Sequence, residues 1–141
     1  MSDPDVLPAD AAGVLEASRR REEAQTLFYR TLAARASAAG DEQAVERLNE
    51  LHADEQHHLS RLTARLLELG RAPLDLSGVA VPVGVPEGWE AEARAREIEE
   101  VRWYESATAV ALDDATAAVL REILEAERQH ARELRRKWMS A

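Results

Sequence analysis

Apolar residues recur along this chain at alternating intervals of three and four, the spacing that puts side chains on one face of an α-helix. Four such stripes can be followed. The first runs through Leu15, Ser18, Glu22, Gln25, Tyr29, Leu32 and Ala36, and the second through Leu48, Leu51, Glu55, His58 and Leu62. The third carries Ala93, Glu97, Glu100, Tyr104, Ala107 and Ala111, and the fourth Leu120, Ile123, Glu127, His130 and Leu134. Gly40–Asp41 reads as a helix stop followed by an N-cap, Gly70 ends the second pattern, and Asp113–Asp114 offers a further N-cap. Residues 71–88 (RAPLDLSGVAVPVGVPEG) read as an extended connection. The pattern therefore predicts helices over about 10–39, 41–69, 88–112 and 114–139, after a loose N-terminal tail over 1–9. Short turns make antiparallel hairpins of helices one and two and of helices three and four, and the long segment over 71–88 crosses between them.

Composition agrees with an all-α chain. Its 141 residues suffice for one domain with a sizeable core, and only 4% are aromatic. The formal net charge of −9 argues against nucleic acid as a partner, which would need a basic face. There is no cysteine, so neither disulfides nor thiolate metal sites can form within the chain. The stretch MSDPDVLPAD has neither the basic nor the apolar region of a signal peptide, and no apolar run is long enough for a membrane span. A cytoplasmic protein without membrane association is expected.

The anomaly lies in the middle of each stripe, where apolar residues give way to ionisable ones. Glu22 is followed seven residues later by Tyr29, with Glu55 and His58 on the next stripe. Glu97 is followed seven residues later by Tyr104, with Glu127 and His130 beyond. Each tyrosine follows a large aromatic, Phe28 or Trp103, so the two hairpins read as related halves of a pseudo-two-fold bundle. In an antiparallel hairpin, residues equidistant from the turn stand at equal height, which sets Glu22 opposite Glu55 and Glu97 opposite Glu127. Glu-x-x-His puts Glu55 with His58, and Glu127 with His130, on one helical face.

Four buried carboxylates at one level would cost several kcal/mol per charge without compensation. Two divalent cations about 3.5–4 Å apart, bridged by carboxylates and capped by two imidazoles, would remove that cost. Mixed oxygen and nitrogen ligands suit iron or manganese, with zinc as a non-redox occupant. The arrangement follows the ferritin-like di-metal pattern, one Glu from each of two helices and Glu-x-x-His from each of the others. The expected fold is thus an all-α, ferritin-like antiparallel four-helix bundle with one long crossover between two pseudo-symmetric hairpins.

More narrowly, the sequence resembles the rubrerythrin family. The resemblance rests on EEAQTLFYRTLA at 22–33 with DEQHH at 54–58, and on EIEEVRWYE at 97–105 with ERQH at 127–130, and covers nearly the whole chain apart from the N-terminal tail. It implies a non-haem di-iron oxidoreductase reducing hydrogen peroxide or dioxygen. It also implies a seventh ligand at Glu100, one turn after the third-helix carboxylate, which exchanges with a histidine as the iron changes oxidation state. Gln25 stands at the equivalent place in helix one, a departure from the fully symmetric ligand set of the symerythrin variant. Rubrerythrins typically carry a rubredoxin-like domain with four cysteines. This sequence has none, so electrons are expected from an external donor such as a rubredoxin-type protein or a flavin reductase.

Tyr29 and Tyr104 are either hydrogen-bond partners of ligands or ordinary core aromatics with satisfied hydroxyls. Asp54 could orient a ligand imidazole across the bundle, although solvation at the surface is the simpler expectation. His52 reads as a boundary residue and His57 as exposed. The basic clusters Arg19–Arg21 and Arg132, Arg135, Arg136, Lys137 are read as structural, the second at a helix C-terminus. A homodimer is expected, and the crossover offers a segment through which hairpins would exchange between subunits. Two other classes compete with the enzyme: an iron oxidase or storage protein, which for storage needs a shell of many subunits, and a non-catalytic interaction bundle stabilised by a structural metal.

Overall fold

The computed structural model describes residues 7–8, 10–110 and 112–139, with side chains as far as Leu134. Four helices make up the ordered chain: α1 (Ala11–Ala38), α2 (Glu42–Glu68), α3 (Trp89–Thr108) and α4 (Asp114–Met139). Aspartates fix the starts of α1, α2 and α4, whereas α3 starts after Gly88 with no side-chain cap. Asp10 accepts a hydrogen bond from the Gly13 amide at 2.9 Å, Asp41 from Ala44 at 3.1 Å, and Asp113 from Thr116 at 3.0 Å. α1 and α2 end on glycines in the left-handed region, Gly40 and Gly70, both at φ 75°. Beyond each glycine the chain bonds back into the last turn, Asp41 N–H to the Ala36 carbonyl and Arg71 N–H to that of Leu66, both 3.0 Å. These closures make the first turn tight and the second a clean exit into the crossover.

α3 ends at Thr108, short of the expected residue 112. The Thr108 hydroxyl bonds back to the carbonyls of Tyr104 and Glu105, and Ala109 and Val110 continue with three-residue bonds, so the last turn tightens and stops. Ala111, expected on the third stripe, lies outside the described residues, as do most of the 1–9 tail and the side chains of Arg135, Arg136 and Lys137.

α1 packs along α2 and α3 along α4, and the hairpins meet through α1–α3 and α2–α4 contacts. Every described stripe residue is buried. The apolar ones form two separate clusters. One holds Phe28, Leu32, Leu48, Leu51, Ala93 and Leu134; the other holds Leu15, Leu62, Leu66, Ala107, Leu120 and Ile123. Early α1 residues thus meet late α2, late α3 and early α4 residues, so neighbouring helices are antiparallel. The core is divided across its middle by a polar layer.

The crossover must run the length of the bundle, because α2 ends beside one cluster and α3 begins at Trp89 in the other. It lies along α1. The Arg19 guanidinium donates to the Leu74 carbonyl at 3.1 Å, and Arg35 donates to the carbonyl of Gly84. A Cβ at Gly84 would meet Phe28 Cε1 at 2.9 Å and Leu32 Cδ2 at 3.3 Å, so only glycine allows so close an approach. Val81, Val83 and Val85 alternate outward from this strap. Among the described residues no helix is long and apolar enough to cross a membrane.

Candidate metal centre

The polar layer brings Glu22, Glu55, Glu97 and Glu127 together, each with no solvent exposure, one from each helix. His58 and His130 stand beside them, one turn after Glu55 and Glu127, with ring centroids 6.2 Å apart. Ligand atoms of Glu22, Glu55, His58 and Glu127 all lie within 4.8 Å of one another, as do those of Glu55, Glu97, Glu127 and His130. The two groups overlap. Glu55 and Glu127 belong to both, while Glu22 with His58 and Glu97 with His130 complete one each.

Hydrogen bonding leaves this cluster incomplete from inside the protein. Glu22 Oε2, both oxygens of Glu55, Glu97 Oε2, Glu127 Oε2 and His58 Nδ1 are buried with no hydrogen-bond partner among the described residues. Orphaned buried oxygens are rare and costly. Here they converge on one place, with an imidazole nitrogen among them. That set of oxygen and nitrogen donors fits bound metal.

Burial pushes the carboxyls of Glu55 and Glu127 well above the ordinary range, and the facing carboxylates push them further. Glu22 goes the other way. Burial works to raise it, but the His58 imidazole, together with Glu55 and Tyr104, brings it below its usual value. Burial would lower His130, yet Glu55 and Glu97 hold its imidazolium and carry it up to about 11. Without metal, protons and imidazolium charge thus take the place that cations would fill.

The tyrosines reach across between hairpins. Tyr29 of α1 donates to Glu97 of α3 at 2.6 Å, and Tyr104 of α3 donates to Glu22 of α1 at 2.7 Å. Burial first, and the adjoining carboxylates second, hold both phenols well above their usual range, so they remain donors. Each bond fixes one oxygen of a carboxylate and leaves the other, Glu97 Oε2 or Glu22 Oε2, buried without a hydrogen-bond partner among the described residues.

Glu100 is buried but stands outside both groups. The Arg21 guanidinium holds it at 3.2 Å and also lies 5.0 Å from the centroid of the Trp103 ring. Burial raises the Glu100 carboxyl to about 7 against the pull of Arg21. The matching place in the other half is occupied by Gln25, which accepts from Arg96 at 2.6 Å and donates to Glu97 at 3.4 Å, with Arg96 over Phe28 at 4.6 Å. Ser18 accepts the Trp103 indole N–H at 3.0 Å.

Arg21, Arg96 and Ser18 were not singled out from the sequence as parts of the centre. Their signal was in the same repeat: an arginine directly precedes each α1 and α3 glutamate, and a large aromatic follows six residues later. Asp54 corrects an expectation. Its carboxylate does not simply face solvent but accepts from His130 Nε2 at 2.9 Å. His57 is exposed, its ring 6.5 Å from that of His58, and lines the cavity beside the two imidazoles, whereas His52 is half-buried and belongs to neither group.

The chain superposes on the bacterioferritin-related protein of Bacteroides fragilis, a dodecameric bacterial thioferritin, with a TM-score of 0.79 over 92% of this chain and 84% of that one, at 18% identity. The fold is ferritin-like. No protein-family profile and no curated protein matches the sequence. At this identity the likeness extends to the path of the ferritin-like bundle.

Proposed function

We propose that this protein is a ferritin-like di-iron oxidoreductase that oxidises Fe(II) at the expense of hydrogen peroxide or dioxygen. The observation that carries the reading is the pair of four-residue groups sharing Glu55 and Glu127. Two ions held by Glu22 with His58 and by Glu97 with His130, and bridged by the shared carboxylates, would satisfy the orphaned oxygens together. Histidine and carboxylate ligands in this ratio suit iron or manganese better than a thiol-seeking metal. Bound there, two ferrous ions supply two electrons, enough with two protons to take one hydrogen peroxide to two waters.

The chain's own residues prepare that chemistry. Tyr29 and Tyr104 hold Glu97 and Glu22 by one oxygen each, and the apolar clusters above and below keep bulk water from the layer. Glu100 is the seventh ligand residue of this reading, kept back from the cluster by Arg21. Peroxide reduction with an external electron donor, in a homodimer, is the finer assignment, supported by the resemblance to rubrerythrins. The ferritin-like fold supports iron oxidation with storage equally, and the dodecameric assembly named for the thioferritin makes a multi-subunit shell the concrete form of that alternative.

Anaerobic loading with Fe(II), followed by peroxide or air, tests the proposal. About two irons per chain and a near-ultraviolet band that develops faster with peroxide are expected. Unchanged iron stoichiometry in the Glu55→Ala, Glu127→Ala double variant would remove the proposed site. Elution as a shell of many subunits that retains iron beyond the centre would select storage.

A further inference from the structure

Besides the exchange of Glu100 for Gln25, the two halves of the centre part at a contact made by a ligand imidazole itself. Asp54 directly precedes Glu55 and reaches across to His130. The residue that directly precedes Glu127, and should do the same for His58, is Ala126. A methyl group accepts no hydrogen bond. His58 approaches carboxylates only through Nδ1, at 3.6 Å to Glu22, 3.6 Å to Glu55 and 3.5 Å to Glu127. Among the described residues no carboxylate faces its other nitrogen. His130 Nδ1 sits closer to its neighbours, 3.1 Å from Glu127 and 3.3 Å from Glu55, while Nε2 is held by Asp54.

We propose that the two half-sites are unequal and fill in order, the Glu97/His130 half first and the Glu22/His58 half second. The inference rests on the di-metal reading and goes beyond it. A carboxylate that accepts the outer N–H of a ligating imidazole fixes the tautomer, aims the inner lone pair and makes it a stronger donor, an effect of about 10–100-fold in metal affinity. Asp54 is thus a positioning residue for one half only. A cavity of about 300 Å³ opens between α2 and α4 over both imidazoles, rimmed by Asp54, Gln129 and Glu133 and floored in part by the small Ala126. Being the more weakly held, the second ion is the exchangeable one.

Metal-free full-length protein titrated anaerobically with Zn(II), followed by calorimetry, reads this directly without turnover. Two steps of one equivalent are expected, separated by about 10–100-fold. Asp54→Ala should weaken the first step and merge it with the second, Asp54→Asn should fall between, and Ala126→Asp should tighten the second. Anomalous scattering from crystals given one equivalent of zinc should place the ion at Glu97 and His130. Equal steps in the parent protein, unchanged separation in Asp54→Ala, or the first ion at Glu22 and His58 would overturn the ordering while leaving the centre in place. Uptake no tighter than in the Glu55→Ala, Glu127→Ala control would overturn the centre itself. Asp54 is largely exposed, so its variants are expected to fold, which thermal unfolding checks.

Discussion

The ends of the bundle and its middle layer are built from the same four stripes but answer to opposite physics. At the ends, Leu15, Leu48, Leu62 and Leu120 are buried because removal from water favours them, and each adds to stability on its own. In the middle, Glu22, Glu55, Glu97 and Glu127 are buried just as completely, and each opposes folding until something balances its charge. Side chains with no exposure at all therefore say nothing of themselves about what holds the bundle together. What distinguishes the layers is whether their atoms are satisfied from within the protein.

The sharpest way to break the comparison is to damage one end. Leu62→Ala should destabilise the protein by about 2–5 kcal/mol, with metal or without it, in urea unfolding. The same direction of change in the middle should have the opposite sign. Replacing Glu55 and Glu127 together by leucine should make the metal-free protein more stable by about 1–4 kcal/mol while abolishing metal uptake. A loss of stability in that double variant would mean that the carboxylates are supported by the protein alone.

The smallest effect concerns pH. A carboxyl raised in the folded state binds its proton more tightly there than in the unfolded chain. Its contribution is then fully present below about 4.5 and lost as pH rises through the folded value. Glu100, at about 7, sets a window from about 4.5 to 7, and Glu55 and Glu127 act in the same direction. The midpoint of thermal unfolding of metal-free protein should fall by several degrees across this window. Glu100→Gln should flatten part of the fall, and metal loading should reverse it. A midpoint that rises from pH 5 to 7 without metal would contradict the burial of these groups.

Most of the architecture was legible because it depends on periodicity and punctuation. Leu48, Leu51 and Leu62 mark a face by spacing, and Gly40, Gly70, Asp41 and Asp113 mark its limits. The meeting of Glu22 with Glu55, and of Glu97 with Glu127, followed from counting outward from the turns. What could not be counted was the reach of side chains between helices far apart in sequence. Nothing in the spacing of Asp54 says that it bonds His130 rather than water, and nothing around Arg21 says that its partner is Glu100. The early end of α3 was hidden for a related reason. Apolar periodicity continues past Thr108, but its hydroxyl competes locally for the last carbonyls.

The strap lies along α1, whereas the cavity over the imidazoles opens between α2 and α4. Traffic to the centre through that cavity would pass on the α2–α4 side. Because the chain has no cysteine, a single one can be introduced and alkylated with a bulky reagent at will. A tag at Gln129, on the rim, would stand in the doorway, whereas the same tag at Val83 would hang outward from the strap. Any assembly that exchanges metal with the surrounding solution through this cavity must leave it uncovered.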